Sequence, residues 1–175
     1  MLLRSLASFA CTILLASSTL AQAPKAVPSP LETATVSLNG KAITVKYGAP
    51  SMRGRKIVGA LVPYDKVWRT GANEATSFVT ATDLKIGDTA IPAGSYTLFT
   101  LPKSDQWTLI INKQTGEWGL NYDQSKDLAR IPMKSGSLAS PQERMSISFE
   151  NTSGGSTEMH VKWENTDQSV KITAD

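Results

Sequence analysis

One cysteine and one histidine occur in 175 residues, and that scarcity excludes several chemistries at once. Cys11 lies inside an N-terminal apolar run, residues 6–20 (LASFACTILLASSTL). A chain cut just beyond that run has no thiol, which excludes disulfides, thiol catalysis and cysteine metal sites. Lipidation is excluded too, because Cys11 follows Ser8, Phe9 and Ala10 in mid-run instead of ending it. A lone His160 rules out a histidine metal cluster. A Ser-His-Asp triad would have to use it, and the sequence has no Gly-x-Ser-x-Gly elbow. Met159, Val161 and Trp163 alternate with His160, so it is expected on a wet strand face with Glu158 and Lys162. Asp123 and Asp127 alone fall short of a calcium ligand set. Gly71-Ala72-Asn73 and Ser153-Gly154-Gly155 read as turns, since neither leads from a strand into a helix with a following Lys-Ser/Thr as a phosphate loop does. No metal and no cofactor are expected.

Nucleic-acid partners are excluded by the weak charge balance, +3 at pH 7 over the whole chain. The N-terminal run follows a positive start at Arg4 and precedes small residues at Ala21 and Ala23. It is too short to span a bilayer, and it reads as a signal peptide over residues 1–21, cut after Ala21. Cutting after Ala23 would put Pro24 just beyond the bond. The mature protein is therefore expected to be exported, periplasmic or extracellular, with no transmembrane segment. Residues 22–31, with three prolines, read as a flexible tether. Residues 32–175 suffice for one domain with its own core.

Helix-period segments are nearly absent as well. What is present is a series of strands separated by turn signals. Asn39-Gly40 is the favoured type I′ pair for a two-residue hairpin. It places Leu38 opposite Lys41, Val36 opposite Ile43 and Ala34 opposite Val45, on the core face. Further strands are expected over residues 77–81, 83–86, 95–101, 107–112, 129–134, 145–150, 157–163 and 169–173. Ser153-Gly154-Gly155 and Asn165-Thr166-Asp167 read as turns between the last three. Trp107 and Trp163 lie on core faces. About ten short strands predict an all-β antiparallel sandwich, jelly-roll-like, in one domain.

One stretch resists these rules. Residues 48–73 scatter Pro50, Gly54, Gly59, Pro63 and Gly71 too closely for a long element, with at most one helical turn over residues 56–61. The stretch holds Arg53, Arg55, Lys56, Lys66 and Arg69. Residues 113–127 are a second irregular segment, with Trp118, Gly119 and Tyr122.

Three motifs, YGAPSMRGR at residues 47–55, PYDKVWRTGANEAT at 63–76 and IPAGSYTLFTLP at 91–102, closely resemble a family of exported bacterial proteins, domain of unknown function 2911. WTLIIN at 107–112, Trp118-Gly119, Asn121-Tyr122-Asp123 and the closing strands with Trp163 match it too. The resemblance covers nearly the whole mature chain. It implies one secreted, mostly β domain, and it brings no activity and no catalytic residue.

Candidate chemistry therefore rests on the long loop. Arginine offers a planar fork of donors suited to carboxylate or phosphate. Arg53, Arg55, Lys56 and Arg69, with Tyr64, Trp68, Asn73 and Trp118 as walls, form a candidate site for an anionic small molecule or glycan. The competing role for these arginines is to stitch the loop to the sheets, bonding carbonyls and Glu74. Trp68 and Trp118 are either plugs for an open end of the sandwich or stacking platforms. The leading expectation is a non-enzymatic ligand-binding or structural domain. The alternative is an envelope hydrolase using Glu74 and Asp65 as a carboxylate pair, against which stands a Glu74 paired with Arg69 or Arg55.

Overall fold

The computed structural model describes residues 28–174. The signal-peptide and cleavage-site expectations, and most of the tether, lie outside those residues. Ten strands form two antiparallel sheets among the described residues. They are β1 (Leu31–Leu38), β2 (Lys41–Gly48), β3 (Ala72–Thr80), β4 (Leu84–Ile86), β5 (Thr89–Ile91), β6 (Gly94–Leu101), β7 (Thr108–Asn112), β8 (Asp127–Pro132), β9 (Lys134–Ser153) and β10 (Ser156–Ala174). The first sheet runs β1-β2-β3-β6-β7-β8 and the second β5-β4-β10-β9. A single 3-10 turn, Gln124–Lys126, capped by the Asp123 side chain, precedes β8. No helix among the described residues is long and apolar enough to cross a membrane.

The β1–β2 hairpin forms as its sequence predicts. Asn39 and Gly40 take φ of 50° and 76°, the left-handed pair a type I′ turn requires. Leu38, Val36 and Ala34 face Lys41, Ile43 and Val45. Leu38, Ile43 and Val45 are fully buried. Phe78, Leu98, Leu109 and Ile111 continue that face across the first sheet, and Met145, Met159, Val161 and Ile172 answer from the second. Trp107 and Trp163 join this core.

Three local expectations are corrected. The last two strands are long, 20 and 19 residues. Asn165-Thr166-Asp167 does not end a strand: β10 runs on through it with register shifts on both sides of Glu164, whose φ is 54°. A bulge uses the same left-handed backbone as a turn, so the two leave similar sequence marks. That bend carries Asp167 back over the outer face of the second sheet. There His160 is not wet but 9% exposed, its Nδ1 2.7 Å from Asp167 Oδ1. Glu150, Glu158 and Lys162 surround it on the same face. Residues 56–61 form no helical turn: the Ala60 and Val62 amides both bond the Ile57 carbonyl, and Leu61 bonds that of Lys56.

Candidate functional site

Residues 49–71 lie between β2 and β3 and tie the two sheets together at one end of the sandwich. Ser51 bridges to Arg144 on β9, Trp68 to Thr100 on β6, and the Val58 amide donates to Glu164 Oε2 on β10 at 3.0 Å. The loop brings its own core: Ala49, Ile57 and Val62 are 0%, 0% and 2% exposed. Trp68 is half-buried, stacked on Trp163 (centroids 5.9 Å, planes 20° apart) and edge-on to Trp107 (6.2 Å, 88°). Its Nε1–H donates to the Gly71 carbonyl at 3.1 Å. Trp68 is thus a plug, with its polar atom already bonded.

The backbone then makes a tight corner. Thr70 is buried with φ of 53°, unusual for a β-branched residue. Its hydroxyl reaches Thr100 Oγ1 at 3.2 Å, and its carbonyl accepts from Thr76 Oγ1 at 2.9 Å. Such strain persists only where surrounding bonds fix it, and it collects at ligand sites. The corner sends Arg69 away from the core, beneath residues 117–120. That segment runs beside the start of β3, with Glu74 bridged to Trp118 and the Gly119 amide bonded to the Asn73 carbonyl at 3.3 Å. Gly119 is needed here, because a Cβ would collide with Arg69 Cδ and the Asn73 carbonyl.

The result is a cleft of about 480 Å³ whose lining includes Arg55, Lys66, Trp68, Arg69, Asn73 and Tyr122, with Leu61 and Leu120 among its apolar residues. Its volume is that of a small-molecule site. No acidic residue lines it. Among the described residues Arg55, Lys66 and Arg69 make no ion pair. Arg69 Nε is out of solvent with no hydrogen-bond partner among those residues, and burial lowers the Arg69 guanidinium below its ordinary value. A donor hidden from water without a partner is costly, so an anion placed there would restore what the fold leaves out. Arg55 spends two donors on the Met52 and Ser51 carbonyls, at 2.9 and 2.7 Å, and keeps the rest of its fork.

Tyr122 forms a wall. Its ring packs edge-on to Phe99 at 4.9 Å. Its hydroxyl donates to Asp127 Oδ2 at 2.7 Å and accepts from Arg130 at 2.6 Å. Burial, with the hydrogen bond to Asp127 behind it, pushes the phenol up to about 12. Tyr122 therefore stays protonated near neutral pH and is no base.

The other predicted residues lie elsewhere. Arg53 donates from Nη2 to the Pro28 carbonyl at 2.9 Å, which is stitching. Neither Arg53, Lys56, Tyr64 nor Trp118 lines this cleft. Tyr64 packs against Gly59, and Trp118 is 53% exposed, so it plugs nothing. Glu74 pairs with neither Arg69 nor Arg55. It lines a second cleft, of about 470 Å³, with Lys46, Ser77, Thr97 and Glu117. Asp65 lines neither cleft, its amide tied to the Pro102 carbonyl at 2.9 Å, so the two acids of the hydrolase alternative are not brought to one site. Among the described residues no three His, Cys, Asp or Glu side chains could hold a metal. Sequence reasoning missed Gly119 and Tyr122 as site residues, and it counted Lys66 as charge without assigning it. Gly119 was legible only as part of the Trp118-Gly119 motif.

A family model described as "Protein of unknown function (DUF2911)" matches residues 29–172. No curated protein and no solved structure matches the chain.

Proposed function

The chain belongs to the DUF2911 family, and because that membership carries no activity we propose, from the cleft itself, an exported protein that binds a small anionic ligand without transforming it. The observation that carries this is Arg69: a partly buried guanidinium with an unpartnered Nε, in a cleft lined by two more cations and no acid. The same lining argues for binding over catalysis. It holds no carboxylate, histidine or thiol to act as a base, and its hydroxyls are Ser29 and a Tyr122 kept protonated.

The test is a thermal-shift and calorimetric screen with inorganic phosphate, acetate and galacturonate. A ligand at 100 times its Kd adds about 2.7 kcal/mol. For a domain of this size that raises the melting temperature by about 5–10 °C. Arg69→Met and Lys66→Gln should abolish the rise, whereas Arg53→Met, outside the cleft, should leave it. No shift with any anion, or an Arg69→Met variant that binds as the wild type does, overturns the proposal.

A further inference from the structure

The cleft's cations sit beside apolar surface that the fold leaves uncovered. Leu120 is 73% exposed and Leu61 48%, and both line the cleft with Arg55, Lys66 and Arg69. Leu120 directly follows Gly119, the residue against which Arg69 packs. Its turn is closed by the Asn121 amide on the Trp118 carbonyl at 2.9 Å, and Leu120 shares the cleft lining with Arg69. Pro63 and Val67 extend the apolar lining.

The neutral polar groups that a sugar ring would need are largely taken. Trp68 Nε1 is bonded to Gly71, the Tyr122 hydroxyl is held by Asp127 and Arg130, and Asn73 Nδ2 points to the Ser29 carbonyl at 3.5 Å. A glycan would lay hydroxyls against leucine and proline and leave them unpaired. A ligand with an anionic head and an aliphatic tail satisfies both halves of the cleft.

We infer that the ligand is an anionic amphiphile, its carboxylate or phosphate head on Arg69 and Lys66 and its single aliphatic chain over Leu61 and Leu120; this rests on the anion-binding reading above. Such a molecule could arrive free, as a fatty acid or alkyl phosphate, or from a membrane surface, and the inference commits to the free monomer.

The experiment is a calorimetric titration with acetate, hexanoate, octanoate and decanoate below their micelle concentrations. Octyl glucoside serves as the uncharged chain, and anionic and neutral phospholipid vesicles as the surface. The expected result is that each methylene entering the cleft tightens Kd by about three- to fourfold, while octyl glucoside does not bind measurably. Leu120→Asn should flatten the chain-length dependence, and Lys66→Gln, a second cationic change should Arg69→Met fold poorly, should weaken every acid in the series. Acetate binding with no gain along the series overturns this inference and leaves the anion-binding reading standing. No binding by any acid overturns both. Binding to anionic vesicles without binding of monomer overturns it in favour of a membrane-surface site.

Discussion

Replacing Trp68 by alanine tests whether the long loop is built on the core or merely lies against it. Trp68 contributes a stacked contact with Trp163, an edge contact with Trp107 and an Nε1–H bond to the Gly71 carbonyl. Truncating a buried aromatic to alanine costs about 3–5 kcal/mol. Because Trp68 is half-buried, the lower part of that range applies, about 3–4 kcal/mol once the aromatic pairs are included. Trp68→Phe keeps a ring against Trp163 and loses the hydrogen bond, for about 1–2 kcal/mol. At about 2–4 °C per kcal/mol for a domain of this size, alanine should lower the melting temperature by about 6–16 °C and phenylalanine by about 2–8 °C. Urea unfolding followed by far-UV circular dichroism and tryptophan fluorescence gives the free energies. A cycle with Trp163→Phe should return a coupling of about 0.5–1.5 kcal/mol. An alanine variant within about 1 kcal/mol of wild type refutes the reasoning, because a side chain so cheaply removed is a surface platform and not a plug.

Three further outcomes follow from the same geometry. A Cβ on Gly48 would collide with the Ala72 backbone where the β2–β3 register shifts, so Gly48→Ala should cost at least about 2 kcal/mol in urea, and a loss under about 0.5 kcal/mol contradicts so close an approach. The Tyr122 phenol is raised from 10.0 to about 12. Unfolding therefore releases its proton between those values, and stability falls as pH rises through that window. Tyr122→Phe should remove this part of the alkaline loss, and an unchanged alkaline profile refutes the assignment. Glu150 is lowered from 4.5, chiefly by its hydrogen bond from Lys162 and then by that from Ser148. Its contribution is present above about pH 4.5 and is lost as pH falls through its lower folded value. Glu150→Gln should flatten acid unfolding in that range, and an unchanged acid limb counts against the pair.

How much of this was legible in the sequence depended on how local the deciding interaction is. The Asn39-Gly40 turn and its register were legible because two adjacent residues with left-handed backbone fix every pair of the hairpin. The β-sandwich was legible from alternation, and the core places of Trp107 and Trp163 came with it. His160 was read onto the correct side of β10 and still misjudged. Alternation says which face a side chain takes, not what covers that face, and the cover is Asp167, delivered by a bulge near Glu164. Gly119 escaped for a similar reason. Its role depends on residues 117–119 pairing with the start of β3, a contact across more than forty residues that no local pattern encodes.

The stitching contacts of the loop's cations differ from residue to residue, so the loop does not act as a whole. Arg53 is committed to the Pro28 carbonyl, so it holds chain to chain. Arg55 spends two donors on the Ser51 and Met52 carbonyls and also lines the cleft. Lys66 and Arg69 have no acidic partner among the described residues, and Arg69 alone is drawn under a covering segment that hides its Nε without satisfying it. A fold seeking only stability would have placed an acid or a carbonyl there, because a donor taken out of water and left unbonded costs free energy. Glu74 was the obvious candidate, one strand step from Asn73, and the structure turns it into the other cleft. Arg55, Lys66 and Arg69 line the first cleft without an acid, whereas Glu74 and Glu117 line the second together with Lys46. It is this sorting of charge, more than the number of arginines in the loop, that makes the Arg69 cleft the place to look for a ligand.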